Sequence, residues 1–169
     1  MPRNIQLIQL ILTLKEQVKT DRIERILVGA IVVSKGNILL VRRSASDDFL
    51  PGYIEIPGGK LEKKEDILTG VCRELYEETG LKMKKIQDYV GFFNAVSPDG
   101  KSARQFNFLL ESRNNEVVLS TEHSQYLWWN VEDVKDLDLM PMIEPMKIML
   151  RRVVGQIKEL RSASSLAKL

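Results

Sequence analysis

Three glutamates, Glu74, Glu77 and Glu78, stand at i, i+3 and i+4 in the run from Val71 to Gly80. If that run is helical, the three carboxylates share one face. Like charges so close repel one another, and helix propensity does not call for them. A hard divalent cation takes oxygen ligands and cancels the repulsion, so the spacing points to a metal site. The helix is expected to end at Gly80, a residue suited to the left-handed position beyond a helix C-terminus. Just upstream, Pro57-Gly58-Gly59 is expected to form a tight turn where backbone could approach a metal or a phosphate closely.

The stretch from Gly59 to Leu81 resembles the Nudix box, G-x5-E-x7-R-E-U-x-E-E-x-G-U with U an aliphatic residue. Gly59, Glu65, Arg73, Glu74, Leu75, Glu77, Glu78, Gly80 and Leu81 fill every specified position. An acidic surface helix is the plain alternative, since glutamate pairs are common on helices, but not in this frame. The resemblance implies an α/β chain with the Nudix fold, an α/β/α sandwich around a mixed β-sheet. It implies hydrolysis of a nucleoside diphosphate linked to another moiety, with Mg2+ or Mn2+ as the cofactor. Carried over by position, Glu74, Glu77 and Glu78 would be metal ligands within the catalytic group, with the Gly58 carbonyl as a further ligand. Arg73 would orient the glutamates by salt-bridging, with Glu65 among its partners. Gly59 and Gly80 would shape the loops at either end of the helix. The family's general base is a box glutamate or a carboxylate from a distant loop. Glu122 is the loop candidate here, with an exposed loop glutamate as the equal alternative. His123 is expected at the surface.

Substrate contacts are read from position. Arg42 and Arg43 end a strand one loop from the metal-phosphate candidate, which favours one of them as a phosphate contact. Phe93, Phe106 and Trp128 could stack on a base, although core packing suits each of them better. The region around Arg42-Arg43 and Pro51 to Gly59 looks similar to MutT-type members, which cut nucleoside triphosphates to the monophosphate and pyrophosphate. Members that cleanse oxidised guanine nucleotides read the base with an asparagine near the start of the last helix. Ile143 stands there and cannot make that bond. ADP-ribose hydrolases of the family carry a proline beyond the box, and Pro98 lies near that spacing, though a Pro-Asp-Gly turn explains it equally. The leading expectation is therefore a (d)NTP pyrophosphohydrolase, with an ADP-ribose or nucleotide-sugar pyrophosphatase next. A non-catalytic nucleotide sensor is disfavoured because such domains lose box glutamates and this chain keeps them.

These residues need a scaffold, and 169 residues are enough for one domain with a real core. The division expected is an N-terminal helix and connector (1–25), a Nudix domain (26–161) and a fraying C-terminal tail (162–169). Ile5, Ile8 and Leu12 are taken as the apolar side of the first helix, packed on the domain or on a partner subunit. A hairpin is expected from Ile26–Val33 and Ile38–Val41, and a second from 84–96 and 103–111. A further strand is expected at Tyr126–Trp129. A short helix capped by Asn130 should follow, then a helix from Met142 to about Arg161. The formal charge of +2 gives no reason to expect nucleic acid as a partner. Cys72 is the only cysteine. No internal disulfide is then possible, and a reducing, cytoplasmic setting fits. No apolar run approaches the roughly 20 residues that span a bilayer, so no membrane partner is expected. The partner expected is a small nucleotide, with a homodimer as the family-level expectation.

Overall fold

The computed structural model describes residues 3–97 and 99–166, with side chains described for 6–97 and 99–159. Pro98, on which the ADP-ribose expectation leaned, lies outside them. The elements run α1 (Arg3–Thr20), β1 (Arg25–Ser34), β2 (Asn37–Arg43), β3 (Ile54–Glu55), β4 (Gly58–Lys60), α2 (Ile67–Thr79), β5 (Met83–Val96), β6 (Ser102–Ser112), β7 (His123–Asn130) and α3 (Glu144–Leu166). A single 3-10 turn, Val134–Asp138, precedes α3.

The sheet is mixed. β1 runs parallel to β6, and β5 closes that side antiparallel to β6. On its other side β1 pairs first with β4 and, only at Val33 and Ser34, with β2. β2 continues away to pair with β3 and β7. β1 thus divides its far edge between two partners, and β4 meets the C-terminal half of α2 beside that division, Gly58 bonding Glu78 and Gly59 lying against Glu74.

Alternation along the strands builds two cores. Ile31, Ile38, Leu40, Leu109 and Trp129 face α3, which buries Met146, Leu150, Val153 and Ile157 against them. Val28, Ala30, Val32, Leu39, Phe106 and Phe108 face α2 and α1. The α/β/α arrangement is the one expected.

Four local expectations are corrected. In α1, Ile8 and Leu12 are exposed, whereas Leu14 and Val18 are buried. The true stripe is Leu10, Ile11, Leu14 and Val18, at helical spacing, and it docks on the domain itself. Residues Gly58 to Lys60 form a strand rather than a turn, with Gly58 opposite Gly29 and Gly59 opposite Val28. After β7, the Asn130 side chain accepts from the Glu132 amide and closes a turn, so the 3-10 segment starts only at Val134. Lastly, α3 begins at Glu144 and continues through the Ser-Ala segment to Leu166. Among the described residues no helix is long and apolar enough to cross a membrane.

The β1–β4 contact tolerates no side chain at Gly58. A Cβ at Gly58 would drive into the Val28 carbonyl and lie 2.9 Å from Gly29 Cα, both backbone groups that cannot swing aside. Gly58→Ala is therefore expected to cost about 2–3 kcal/mol as overpacking. The urea midpoint would measure this, and an unchanged midpoint would mean that the strands part without penalty.

Candidate active site

The centre is α2. Asp66 caps its N-terminus, its Oδ1 accepting from the Leu68 and Thr69 amides at 3.0 and 3.1 Å. Gly80 ends it with φ 67°, its amide donating to the Tyr76 carbonyl. Ile67, Val71 and Leu75 make the buried stripe and are fully or almost fully covered. Burying three such side chains contributes about 2 kcal/mol each. The next position on that stripe is Glu78, three residues beyond Leu75, and it is 4 % exposed. The helix that anchors the domain therefore drags one carboxylate under its own edge, while Glu74 and Glu77 lie on the flank.

Arg73 organises that flank. Its Nε and Nη2 grip both oxygens of Glu65 at 2.9 Å. Its Nη1 donates to Glu74 at 2.8 Å and to Glu77 at 2.9 Å, and its Nη2 also reaches the Lys60 carbonyl. The bidentate hold keeps Glu65 below the usual carboxylate range. Glu74 is shifted the other way, upward, because burial outweighs its bond to Arg73 and because Glu77 and Glu122 add negative charge. Gly59 lies directly against it: a Cβ there would come within 2.6 Å of Glu74 Oε2.

Glu78 is the most perturbed carboxyl group. Burial first, then the charges of Glu55, Glu74 and Glu122, push it to about 9, opposed by one hydrogen bond from the Gly58 amide. That bond to Oε2 is 2.8 Å long. Beneath it, the His123 side chain is fully covered, with Nε2 3.2 Å from Glu55 Oε1 and 4.0 Å from Glu78 Oε1. His123 is thus not at the surface as expected. The β2–β7 ladder carries on past a bulge to pair Arg43 with His123 and turns the ring inward. Its Nδ1 is buried with no hydrogen-bond partner among the described residues.

Glu122 is exposed in the turn just before β7. Its loop is tied to the end of α2, the Ser120 amide donating to the Glu78 carbonyl at 3.0 Å. The Ser44 amide in turn donates to the Glu122 carbonyl at 2.8 Å. These ties bring a carboxylate distant in sequence close enough to raise both Glu74 and Glu78.

Beside the carboxylates opens a cavity of about 480 Å³, a size that suits a small organic ligand. Arg43, Glu55, Gly58 and Gly59 line its acidic end, and Phe49, Tyr53, Phe93, Ile143 and Met146 are among its apolar walls. A family model described as NUDIX domain matches residues 24–152. The chain belongs to the Nudix family.

Relatives and structures agree with that membership. A nucleoside triphosphatase NudI of Klebsiella pneumoniae is 28% identical over 125 residues, covering 69% of this chain and 89% of that protein. An 8-oxo-dGTP diphosphatase of Buchnera aphidicola is 28% identical over 110 residues, covering 65% of this chain and 79% of that one. A crystal structure of a MutT protein from Methanosarcina mazei superposes with TM-score 0.69 at 30% identity, over 79% of this chain and 94% of that one. As a Nudix hydrolase the protein acts on phosphorus anhydrides in nucleoside diphosphate-linked substrates, and enzymes of this family generally use divalent metal ions.

Of the residues singled out in the Nudix chain, Glu74, Glu77, Glu78, Arg73, Glu65, Gly58, Gly59 and Glu122 gather in one place, and Phe93 lines the adjoining cavity. Arg42 and Arg43, as strand neighbours, point to opposite faces. Arg42 donates to the Gly52 carbonyl, away from the cavity. Arg43 reaches the wall but is committed to Phe49 O, Glu55 and Asp47, so it holds the 44–53 loop in place. Trp128 packs with the core beneath α1 and α2, and Phe106 is fully buried there. Neither belongs to the cavity, because residue parity on β7 and β6 turns them to the other face. Cys72 is partly buried, with its sulfur 3.8 Å from Met83 Sδ, and burial pushes its thiol up. Sequence reasoning passed over Glu55. Its signal was the alternation Ile54-Glu55-Ile56, which puts one acid between two buried residues beside the glycines.

The donor set fits a hard divalent cation. Glu74 and Glu78 are both raised by burial and by neighbouring carboxylates, a surplus of negative charge that such an ion would neutralise. Among the described residues no three such side chains already form a group that could hold an ion. Arg73 occupies one oxygen each of Glu74 and Glu77.

Proposed function

We propose that this protein is a Mg2+- or Mn2+-dependent pyrophosphohydrolase that converts (d)NTPs to (d)NMPs and pyrophosphate. The observation that carries the reading is the joining of a crowded carboxylate cluster to a cavity of nucleoside size at Gly58 and Gly59. The nucleoside triphosphatase and 8-oxo-dGTP diphosphatase among the relatives support the same substrate class. Ile143 on the cavity wall offers no hydrogen bond, which weighs against 8-oxo-guanine as the preferred base.

Glu74, Glu77 and Glu78 would hold the metal, with the Gly58 carbonyl nearby. A bound divalent ion there neutralises phosphate charge and lowers the pKa of water. The chain's own contribution is positional. Arg73 keeps Glu74 and Glu77 on one face, the Gly58 amide fixes Glu78, and Glu122 offers an exposed carboxylate to take the proton of the attacking water. The Phe49, Tyr53 and Phe93 rings hold the base away from bulk water.

Arg73→Lys tests the positioning. A lysine ammonium cannot grip both oxygens of Glu65 and still reach Glu74 and Glu77. Loss of such an orienting partner is expected to weaken Mn2+ binding about tenfold or more, read by electron paramagnetic resonance. Undiminished affinity would leave Arg73 with a purely structural role.

The function itself is tested with a panel of (d)NTPs, ADP-ribose, diadenosine polyphosphates and a nucleotide-sugar in Mg2+, each with a chelator control. Pyrophosphate release from triphosphates, abolished by chelator, is the expected result. Turnover of ADP-ribose alone would replace the triphosphate reading, and nucleotide binding without turnover would favour a sensor.

A further inference from the structure

Within the cavity wall, two amides are locked to one another. Asn107 is fully buried. Its Nδ2 donates to the Gln105 carbonyl at 3.2 Å and to the Gly91 carbonyl at 3.4 Å. Both partners are acceptors only, so the amide nitrogen must face them and Oδ1 must face the other way. Oδ1 receives Gln105 Nε2 at 2.9 Å. Turning the Gln105 amide over would set two oxygens against each other. The orientation of Gln105 is therefore dictated from below, by a residue with no access to ligand.

Gly29 makes the arrangement possible. On β1 it lies opposite Asn107, and a Cβ there would fall 2.5 Å from Asn107 Oδ1 and 2.6 Å from Gln105 Nε2. The paired amide ends thus sit in the space that glycine leaves. Gln105 lines the cavity, whereas Gly29 and Asn107 do not. With Nε2 committed to Asn107, Oε1 is the end of the Gln105 amide left for a ligand in the cavity that this residue lines, since no bond to it is made among the described residues. By strand register the cavity-lining residues beside Gln105 are Leu27 and Phe93, with Ala95 and Ala103 one step further along the same face. An acceptor among apolar groups favours a ligand that brings a donor and penalises one that brings a second acceptor.

We propose that Gln105 is a specificity-determining residue, its Oε1 accepting a hydrogen bond from an exocyclic amino group on the substrate's base. The inference rests on the nucleotide reading above and adds to it a preference for amino-bearing over oxo-bearing bases. Asn107 is the positioning residue that gives Gln105 its polarity.

The test uses substrate pairs that differ in an exocyclic amino group: dCTP with dUTP and dATP with dITP, where an oxo group replaces it and the adjacent ring nitrogen gains a proton, and dGTP with dITP, where hydrogen replaces it. In the parent, kcat/KM is expected to favour the amino member of at least one pair by about tenfold or more, as one desolvated hydrogen bond allows. Gln105→Met keeps the length of the side chain and removes the acceptor, and should bring that ratio to within about twofold. Asn107→Leu should do the same with Gln105 still present, because the freed amide can then offer either end. A loss of cavity shape alone would lower both members and leave the ratio standing. Gln105→Met carries the test by itself if Asn107→Leu does not fold.

A second readout does not need turnover: calorimetric binding of CMP against UMP and of AMP against IMP. A Gln105-dependent preference in binding, with no triphosphate hydrolysed, would keep this assignment and remove the triphosphate reading. Triphosphate hydrolysis with no pair separated, or separation that survives Gln105→Met, would overturn the assignment and leave the hydrolase reading intact.

Discussion

Glu78→Gln is expected to lower kcat/KM by about 10³-fold or more and, in metal-free buffer at pH 8.5, to raise the melting temperature. The two effects share one cause. Glu78 is covered, surrounded by Glu55, Glu74 and Glu122, and pushed up to about 9. Its folded-state value therefore lies above its unfolded one, and the folded protein holds a proton that the unfolded chain releases. The stability this gives is complete below about pH 4.5 and drains away as pH rises toward 9, at about 1.4 kcal/mol per pH unit. Glutamine keeps an acceptor for the Gly58 amide and cannot ionise, so it escapes that loss. Parent and variant should melt alike near pH 5, with the variant ahead at pH 8.5. Saturating Mg2+ should close the gap from the parent's side, because the ion stabilises the charged form. Activity in the variant near the parental level, or a lower melting point at pH 8.5, would refute this account of Glu78.

Glu122→Gln should lower kcat by about 10²-fold, the usual worth of a positioned general base, with little change in KM. Glu122 suits proton transfer because its setting is the opposite of that of Glu78. It is exposed, so a proton taken from water can pass on to solvent. Its backbone is nonetheless held, by Ser44 on one side and through Ser120 by the end of α2 on the other. Measuring Mn2+ affinity in the same variant separates two roles. Retained affinity with lost kcat is the signature of a base, whereas affinity lost in proportion to kcat would make Glu122 a ligand. Parental kcat would return the role of base to a glutamate of α2.

The sequence alone was enough for the helix, its cap at Gly80 and the clustering of Glu74, Glu77 and Glu78. All of these depend on neighbours within a few turns of one chain segment, where helical periodicity converts spacing directly into geometry. A mixed sheet with helices on its faces was legible from strand and helix periods, while the α/β/α layering and the Arg73–Glu65 partnership were implied by the resemblance to the Nudix box. Tertiary structure decided the rest. Glu78 is distinguished from Glu77 only because α2 lies on β1 with Leu75 and Glu78 along one buried stripe. His123 and Glu55 meet beneath Glu78 only because β2 pairs with both β3 and β7. Arg43 and Arg42 part company through strand parity, and Trp128 and Phe106 leave the substrate side by the same rule. Gln105 acquires a direction only when Gly29, Gly91 and Asn107 are brought from three strands to one point. Local spacing specifies which side chains share a face; register between distant strands specifies which of those faces becomes the site.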